Sequence, residues 1–301
     1  MKAGSKSAAQ FLRVLAALAA GWSLLAASGT ARSADTKKPY EMKAVENITY
    51  FQGKDVDKAK HQLDLYLPKG LKEFPVLVFI HGGGWRIGDK GNFGVYQAIG
   101  KVFTAHGIAV VVPNYRLSPK DKHPAHIRDV ARAVAWTVKN IKKYGGRPDQ
   151  LFLSGQSAGG HLAALLATDE SYLKGEGLSL KGIKGVIPIS GVYCLPDKPV
   201  LDRVFGKDLA VRKKASPINQ VREGLPPFLI LYADDDLPIC GKAPSTAFCK
   251  ALRAKKVEAG VAEVKDCNHI MILVKTAADN SAVTKPMLAF IRKHLGTTKK
   301  S

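Results

Sequence analysis

The chain has 301 residues, 46% hydrophobic and 24% charged, a globular composition that excludes a disordered or fibrous polymer. Its formal net charge is +21 at neutral pH. The basic residues are scattered, with pairs at 37–38, 142–143, 213–214, 255–256 and 299–300, and none is interleaved with aromatics. That pattern describes a basic solvated surface and argues against a specific nucleic-acid platform.

At the start, Lys2, Lys6 and Arg13 precede an apolar run from Val14 to Ala27, and small residues follow as far as Ala34. This order predicts a secretory signal over 1–34, cleaved between Ala27 and Ala34. The run falls short of the roughly 20 apolar residues a membrane span needs. No Cys closes it to accept a lipid, and no twin arginine precedes it. The expectation is export to the periplasm or medium with no stable membrane anchor. Cleavage would remove Lys2, Lys6, Arg13 and Arg32 and no acid, so the net charge would fall from +21 to +17.

Residues 35–44 read as a flexible leader, 45–296 as one domain and 297–301 as a basic tail. Strands are predicted around Val45 to Tyr50 and Gln62 to Leu67. Phe74 to Ile80 is a continuous apolar run, the mark of a strand buried on both faces, and His81-Gly82-Gly83-Gly84-Trp85 follows it. A helix over about 92–105 leads to the apolar strand Gly107 to Pro113. Ile127, Val130, Ala131, Val134, Val138 and Ile141 recur at helical spacing over 125–144. The strand Leu151-Phe152-Leu153 then enters Gly155-Gln156-Ser157-Ala158-Gly159 and a helix. After a strand near Val186 to Ile189 comes the less regular segment 191–227, the only candidate cap. The strand Phe228 to Tyr232, a helix near 244–256, a strand at 261–265 and a helix near 282–295 complete the chain. Strands alternating with helices predict an α/β, doubly wound, mostly parallel sheet with helices on both faces.

The chemistry-bearing residues fall just beyond the predicted strands, where parallel sheets place their sites. Strand, glycine-flanked turn and helix around Ser157 are the context of a nucleophile elbow. Asp234-Asp235-Asp236 follows one later strand and Cys267-Asn268-His269 the next. Glycine loop, serine, acid and histidine therefore come in the order of the α/β-hydrolase triad. Ser157 is the expected nucleophile and His269 its base, because a free hydroxyl is a poor nucleophile at neutral pH. Of the three consecutive acids Asp236 is preferred, with Asp234 next. The oxyanion donors are expected to be the N–H of Ala158 and those of Gly83 or Gly84. Trp85 is a candidate substrate-binding residue, with packing beneath the loop as the rival role. His81 is expected to shape the glycine loop, His161 to be structural, and His123 and His126 to be solvated or capping residues at a helix start.

The four cysteines, Cys194, Cys240, Cys249 and Cys267, permit disulfides in an exported protein, with three connectivities. A bridge from Cys240 to Cys267 or to Cys249 would stiffen the site. No metal-ligand cluster or phosphate loop is visible in the sequence, so no cofactor and no metal are expected.

These strings resemble the α/β-hydrolase superfamily and, within it, exported BD-FAE-type esterases (bifunctional carbohydrate and feruloyl esterases). The resemblance covers about 45–295 and rests on Leu63-Asp64-Leu65-Tyr66-Leu67-Pro68, His81 to Trp85 with Gly88-Asp89-Lys90, Asn114-Tyr115-Arg116-Leu117-Ser118, Gln156 to Ala163, and Asn268-His269. Hormone-sensitive-lipase-like enzymes differ in carrying Asp where Gln156 stands. Kynurenine formamidases usually have an aromatic in place of Gly84. The resemblance implies that Asp236 is the acid. It also implies a serine esterase acting on small or aryl esters, including esters that decorate polysaccharides. An amidase or formamidase, and a silent module holding a polyanion, are the rival readings.

Overall fold

The computed structural model describes residues 38–295; the expected signal segment and basic tail lie outside the described residues. The apolar runs Phe74–Ile80 (β3) and Ala109–Pro113 (β4) form central strands, because only burial on both faces satisfies a run without polar alternation. Val76, Val78 and Ile80 point into one core and Leu77 and Phe79 into the other. Around them lies an eight-stranded sheet of order β1-β2-β4-β3-β5-β6-β7-β8. Its strands are Met42–Thr49 (β1), Gln62–Pro68 (β2), β3, β4, Gly146–Gln156 (β5), Ile183–Ile189 (β6), Phe228–Asp235 (β7) and Ala259–Asn268 (β8). β1 and β2 run antiparallel to their neighbours, and from β4 to β8 every pairing is parallel.

Helices cover both faces. Val95–Ala105 (α1) lies on the face of Leu77 and Phe79, while Ala125–Asn140 (α2) and Ala158–Thr168 (α3) lie on the other. A short turn of helix, Ser171–Lys174 (α4), follows α3. Within the cap segment are Asp202–Phe205 (α5) and Leu209–Lys214 (α6). Lys242–Ala254 (α7) packs Phe248, Cys249 and Leu252 against the α2–α3 face. Met271–Thr276 (α8) and Thr284–His294 (α9) bring Ile272, Met287, Leu288 and Ile291 to the α1 face. The doubly wound sheet expected from the alternation of elements is the observed one. No helix among the described residues is long and apolar enough to cross a membrane.

Three local expectations need correction. The leader expected to run to residue 44 is already strand from Met42, where Met42, Lys43 and Ala44 pair with Pro68, Leu67 and Tyr66. β1 is an edge strand with mostly exposed residues, so no apolar run announces it. The helix α8 begins two residues after His269 and was not anticipated. The cysteines form no bridge: all four are free thiols, Cys240, Cys249 and Cys267 buried and Cys194 exposed.

The cap segment 191–227 adds no strand; Tyr193, Leu195, Leu201, Val204, Phe205 and Leu225 anchor it in the core, and one buried cation ties its turns together. Arg212 is 1% exposed and donates to the carbonyls of Gly206, Pro196 and Lys198. It also pairs with Asp197 and Asp202. A guanidinium with five donors can satisfy several loop carbonyls at once, which joins the irregular turns between the buried apolar residues.

Candidate active site

β5 leaves the sheet at Gln156, and Ser157 takes φ 59°, ψ −120°, a strained conformation for a residue with a side chain. The flanking glycines make the turn sterically feasible. A Cβ on Gly159 would lie 2.0 Å from the carbonyl oxygen of Ile80, and one on Gly155 2.6 Å from the same oxygen. The Ser157 N–H donates to Ile189 O at 2.9 Å, fixing the turn to β6. Ser157 thus stands at the N-terminus of α3, above a helix whose every residue is buried.

β7 and β8 bring the acid and the histidine to it. His269 Nε2 lies 2.9 Å from Ser157 Oγ, and His269 Nδ1 lies 2.6 Å from Asp236 Oδ1. An ionised carboxylate only accepts, so Nδ1 carries the proton and Nε2 is left bare to take one from the serine. Burial pushes the Asp236 carboxyl upward, but hydrogen bonds from His269, Ser190 and the Ala233 N–H outweigh it and hold the group below the usual carboxylate range. Of the three consecutive acids the structure brings only Asp236 to His269. Asp234 accepts the N–H groups of Asp266 and Cys267, each at 2.9 Å, and so ties β7 to β8. Asp235 is exposed.

Two neighbours of this arrangement were not singled out from the sequence. Ser190 Oγ donates to Asp236 Oδ2 at 2.5 Å and is fully buried just beyond β6. Gln156 Nε2 donates to His269 O at 2.8 Å, tethering the histidine loop to the elbow. The signal for both was position: each is a polar residue at the carboxyl end of an apolar strand. A third neighbour is Cys240, whose sulfur lies with the Asp236 and His269 ligand atoms in a group no wider than 4.8 Å. Burial and the Asp236 charge push its thiol pKa up, and Nδ1 of His269 is already bonded to Asp236. That donor set suits a hydrogen-bonded dyad and does not fit a resident metal.

The glycine loop faces the serine from β3. A Cβ on Gly82 would meet Gln156 Oε1 at 2.6 Å, so the loop lies directly against the elbow. Gly83 and Gly84 have φ of +113° and +60°, and a Cβ on Gly83 would sit 2.1 Å from Ile87 O. The turn closes through the N–H groups of Arg86 and Ile87 on Gly83 O, both at 3.1 Å. The expected donors Gly83 and Gly84 directly follow Gly82 in this loop, and Ala158 is the first residue of α3.

Trp85 lies beneath this loop. Its indole is 5% exposed, meets the rings of His161 and Phe205 edge-on at 5.1 and 5.0 Å, and donates to His161 Nδ1 at 3.2 Å. His161 Nε2 in turn donates to Ala215 O at 2.8 Å. This placement favours the packing role over the substrate-binding role expected for Trp85: the indole joins loop, nucleophile helix and cap. Trp85 still borders a cavity of about 310 Å³, together with Gly83, Gly84, Ile87, Val200 and Val204. Ile87 and Val200 are 60% and 69% exposed there.

His81 stacks on Tyr115 with ring centroids 4.2 Å apart, and its Nδ1 lies 2.8 Å from Gly82 O, in keeping with the loop-shaping role expected of it. His126, expected to be solvated or capping, is instead buried, with Nε2 3.1 Å from Ser118 Oγ. His123 caps nothing either: its N–H donates to Val204 O in the cap, at 2.8 Å. The helix starts at Ala125, where the 125–144 spacing places it, and His123 lies just before it with its ring against Phe205 and Tyr172.

The remaining family strings hold the loop's return. Lys90 Nζ pairs with the buried Asp64 at 2.9 Å and reaches Asn47 Oδ1 at 2.7 Å. Asn114 accepts the Lys90 N–H at 2.6 Å and donates to Asp89 at 2.6 Å. Arg116 makes a two-pronged pair with Asp129 of α2, both contacts at 2.8 Å.

A doubly wound sheet with a strained serine elbow, a glycine loop after β3 and a histidine beyond β8 is the arrangement of the α/β-hydrolase fold, and the chain has that fold. Within it, residues 63–185 match the BD-FAE family model. Esterase LipQ of Mycobacterium tuberculosis (strain ATCC 25618 / H37Rv) is 35% identical over 219 residues, covering 67% of this chain and 51% of the relative. The chain thus spans about half the length of that relative. Among solved structures, a truncated carbohydrate esterase from gut microbiota superposes with TM-score 0.70 at 23% identity, over 86% of this chain and 98% of that one. Esterase B from Lactobacillus Rhamnosis (HN001) gives 0.73 at 22% identity, over 96% and 93%. At these identities the two structures bear on the fold.

Proposed function

We propose that the chain is a serine hydrolase of carboxylic esters with short or aryl acyl groups, including esters that decorate polysaccharides. The observation that carries this reading is the continuous hydrogen-bonded series from Ser157 Oγ through His269 to Asp236. Ser157 Oγ attacks the ester carbonyl as its proton passes to His269 Nε2. The carbonyl oxygen takes up negative charge, which the N–H groups of Ala158 and of Gly83 or Gly84 stabilise. His269 then returns the proton to the departing alcohol, leaving an acyl-enzyme, and water repeats the sequence to free the acid. Asp236 keeps the imidazole in the required tautomer and stabilises its charged form. Support for an ester substrate comes from relatives named as esterases. The polysaccharide part draws on the carbohydrate esterase whose fold this chain shares. An exported enzyme, as expected from residues 1–34, would meet such substrates outside the cytoplasm.

The cavity beside the glycine loop is small and partly lined by exposed aliphatic side chains, which suits a short or flat acyl group better than a long chain. The test is kcat/KM for 4-nitrophenyl esters from acetyl to palmitoyl, with methyl ferulate and N-formylkynurenine alongside and Ser157→Ala as control. The expected profile falls steeply beyond butyryl, with activity lost by several powers of ten in Ser157→Ala. A profile peaking at long chains would replace this reading with a lipase. Preference for N-formylkynurenine would replace it with a formamidase.

A further inference from the structure

α5 stands between two hollows. Leu201, just before it, and Val204 border the cavity beside the glycine loop. Asp202, Arg203 and Gly206 border a second hollow of about 470 Å³, closed by Lys207 and, from the segment after β4, by Pro119 and Lys122. The two hollows are thus separated by the single turn of helix α5.

The charges around this second hollow are unbalanced in a specific way. Lys122, Arg203 and Lys207 are exposed, and none has an ion-pair partner among the described residues. The one acid among the lining residues, Asp202, shares the buried Arg212 with Asp197, so it offsets the three cations only in part. Three like charges gathered at a concavity raise the local potential and concentrate anions there. Aliphatic stems of lysine and arginine can at the same time cover the faces of a ring-shaped ligand. No aromatic side chain lines the hollow, so it has no platform on which a nucleobase could stack.

We propose that this hollow is a subsite for an anionic sugar unit, a carboxylate- or sulfate-bearing residue of a glycan about one or two units from the ester being cleaved. This rests on the esterase reading above and narrows its substrate to acidic glycans. The cap then has two roles: its Leu201 and Val204 side shapes the reacting end of the substrate, and its Arg203 and Lys207 side holds the charged one.

Binding can be read without turnover. Calorimetry would compare hexagalacturonate, a sulfated oligosaccharide of similar length and neutral xylohexaose on the purified protein. It would be repeated on Lys122→Glu/Arg203→Glu/Lys207→Glu and on the equally charged control Lys139→Glu/Lys142→Glu/Lys143→Glu. The control residues are exposed at the end of α2 and in the turn before β5, at the opposite end of the strands from Ser157. The expected result is that the wild type and the control bind one or both anionic sugars and not xylohexaose. Affinity should drop about tenfold or more in the hollow variant and weaken with added salt. Turnover of 4-nitrophenyl acetate should stay unchanged in both variants. Equal losses in the two variants would mean only diffuse attraction to a basic surface, and would overturn the subsite. So would absence of anionic binding to the wild type, or equal binding of the neutral sugar. Loss of the esterase reading alone would appear as an inactive wild type on 4-nitrophenyl acetate, with the binding pattern still decided.

Discussion

On one side of Ser157 the glycine loop is tied down by side chains buried within the fold. His81 stacks on Tyr115, Trp85 bonds to His161 and Lys90 pairs with Asp64. On the other side His269 and Asp236 stand at strand ends, held by a few polar bonds from Ser190, Gln156 and the Ala233 N–H. The first side is fixed by packing, so damage there should cost stability along with rate. The second is fixed by hydrogen bonds at a partly open edge, so damage there should cost rate with little change in stability. The division has a chemical sense: oxyanion donors work by being rigid, whereas the histidine must gain and lose a proton in each cycle.

The strongest test of this contrast lies on the hydrogen-bonded side. Asp236→Asn should lower kcat on 4-nitrophenyl acetate on the order of 10⁴-fold, because the amide no longer selects the tautomer with its proton on Nδ1. Its thermal midpoint should stay near wild type. Asp234→Asn should leave kcat almost intact, since that carboxylate serves the N–H groups of Asp266 and Cys267. A larger kcat loss in Asp234→Asn than in Asp236→Asn would break the assignment of the acid.

Much of this architecture was legible before the structure. Buried strands announce themselves as unbroken apolar runs, and β3, β4 and β7 were read that way. The elbow, the glycine loop and the histidine follow from glycine and polar residues placed just past such runs. Choosing among Asp234, Asp235 and Asp236 was harder, because alternation along an irregular strand end does not fix which carboxylate turns inward. β1 escaped full reading because an edge strand needs backbone pairing and few apolar side chains. The cap was opaque for another reason: its buried apolar residues follow no regular period, and Arg212 joins its turns by reaching carbonyls at 196, 198 and 206, which leaves no periodic mark. His126 misled because its burial comes from the segment after β4, where Tyr115 meets its ring edge-on and Ser118 Oγ lies 3.1 Å from Nε2.

Acid should separate the two sides further. Burial lowers the pKa of His81 and of His126 to about 4 and that of His161 to about 3. All three sit on the packed side, neutral in the folded chain. An unfolded histidine titrates near 6.5, so between that pH and about 4 the unfolded chain binds more protons and gains relative stability. The contribution of these rings is therefore complete above about pH 6.5 and lost as pH falls toward 4. Asp57, Asp89, Asp129 and Asp236 are held below the usual carboxylate range and add their own loss only further down. The urea midpoint should thus drop between pH 7 and 4.5, with a single such histidine contributing on the order of 2–3 kcal/mol. An unchanged midpoint across that window would mean that the packed side does not bury neutral imidazoles.

The smallest expected effect decides what Trp85 does. Trp85→Phe keeps an aromatic ring against Phe205 but removes the N–H that His161 Nδ1 accepts. A buried acceptor left without its donor costs about 1–3 kcal/mol. For a domain of this size that corresponds to a drop in melting temperature of roughly 2–4 °C per kcal/mol. Because the indole lies under the loop, the rate should fall through kcat as the loop loosens. KM and the preference among acyl chain lengths should hold. The rival role predicts the reverse: an indole that stacks on the acyl group would leave melting unchanged when replaced, and would shift KM and the chain-length profile. Melting curves and an acyl-length series on this one variant therefore determine whether the packed side of the site ends at Trp85 or extends to the substrate.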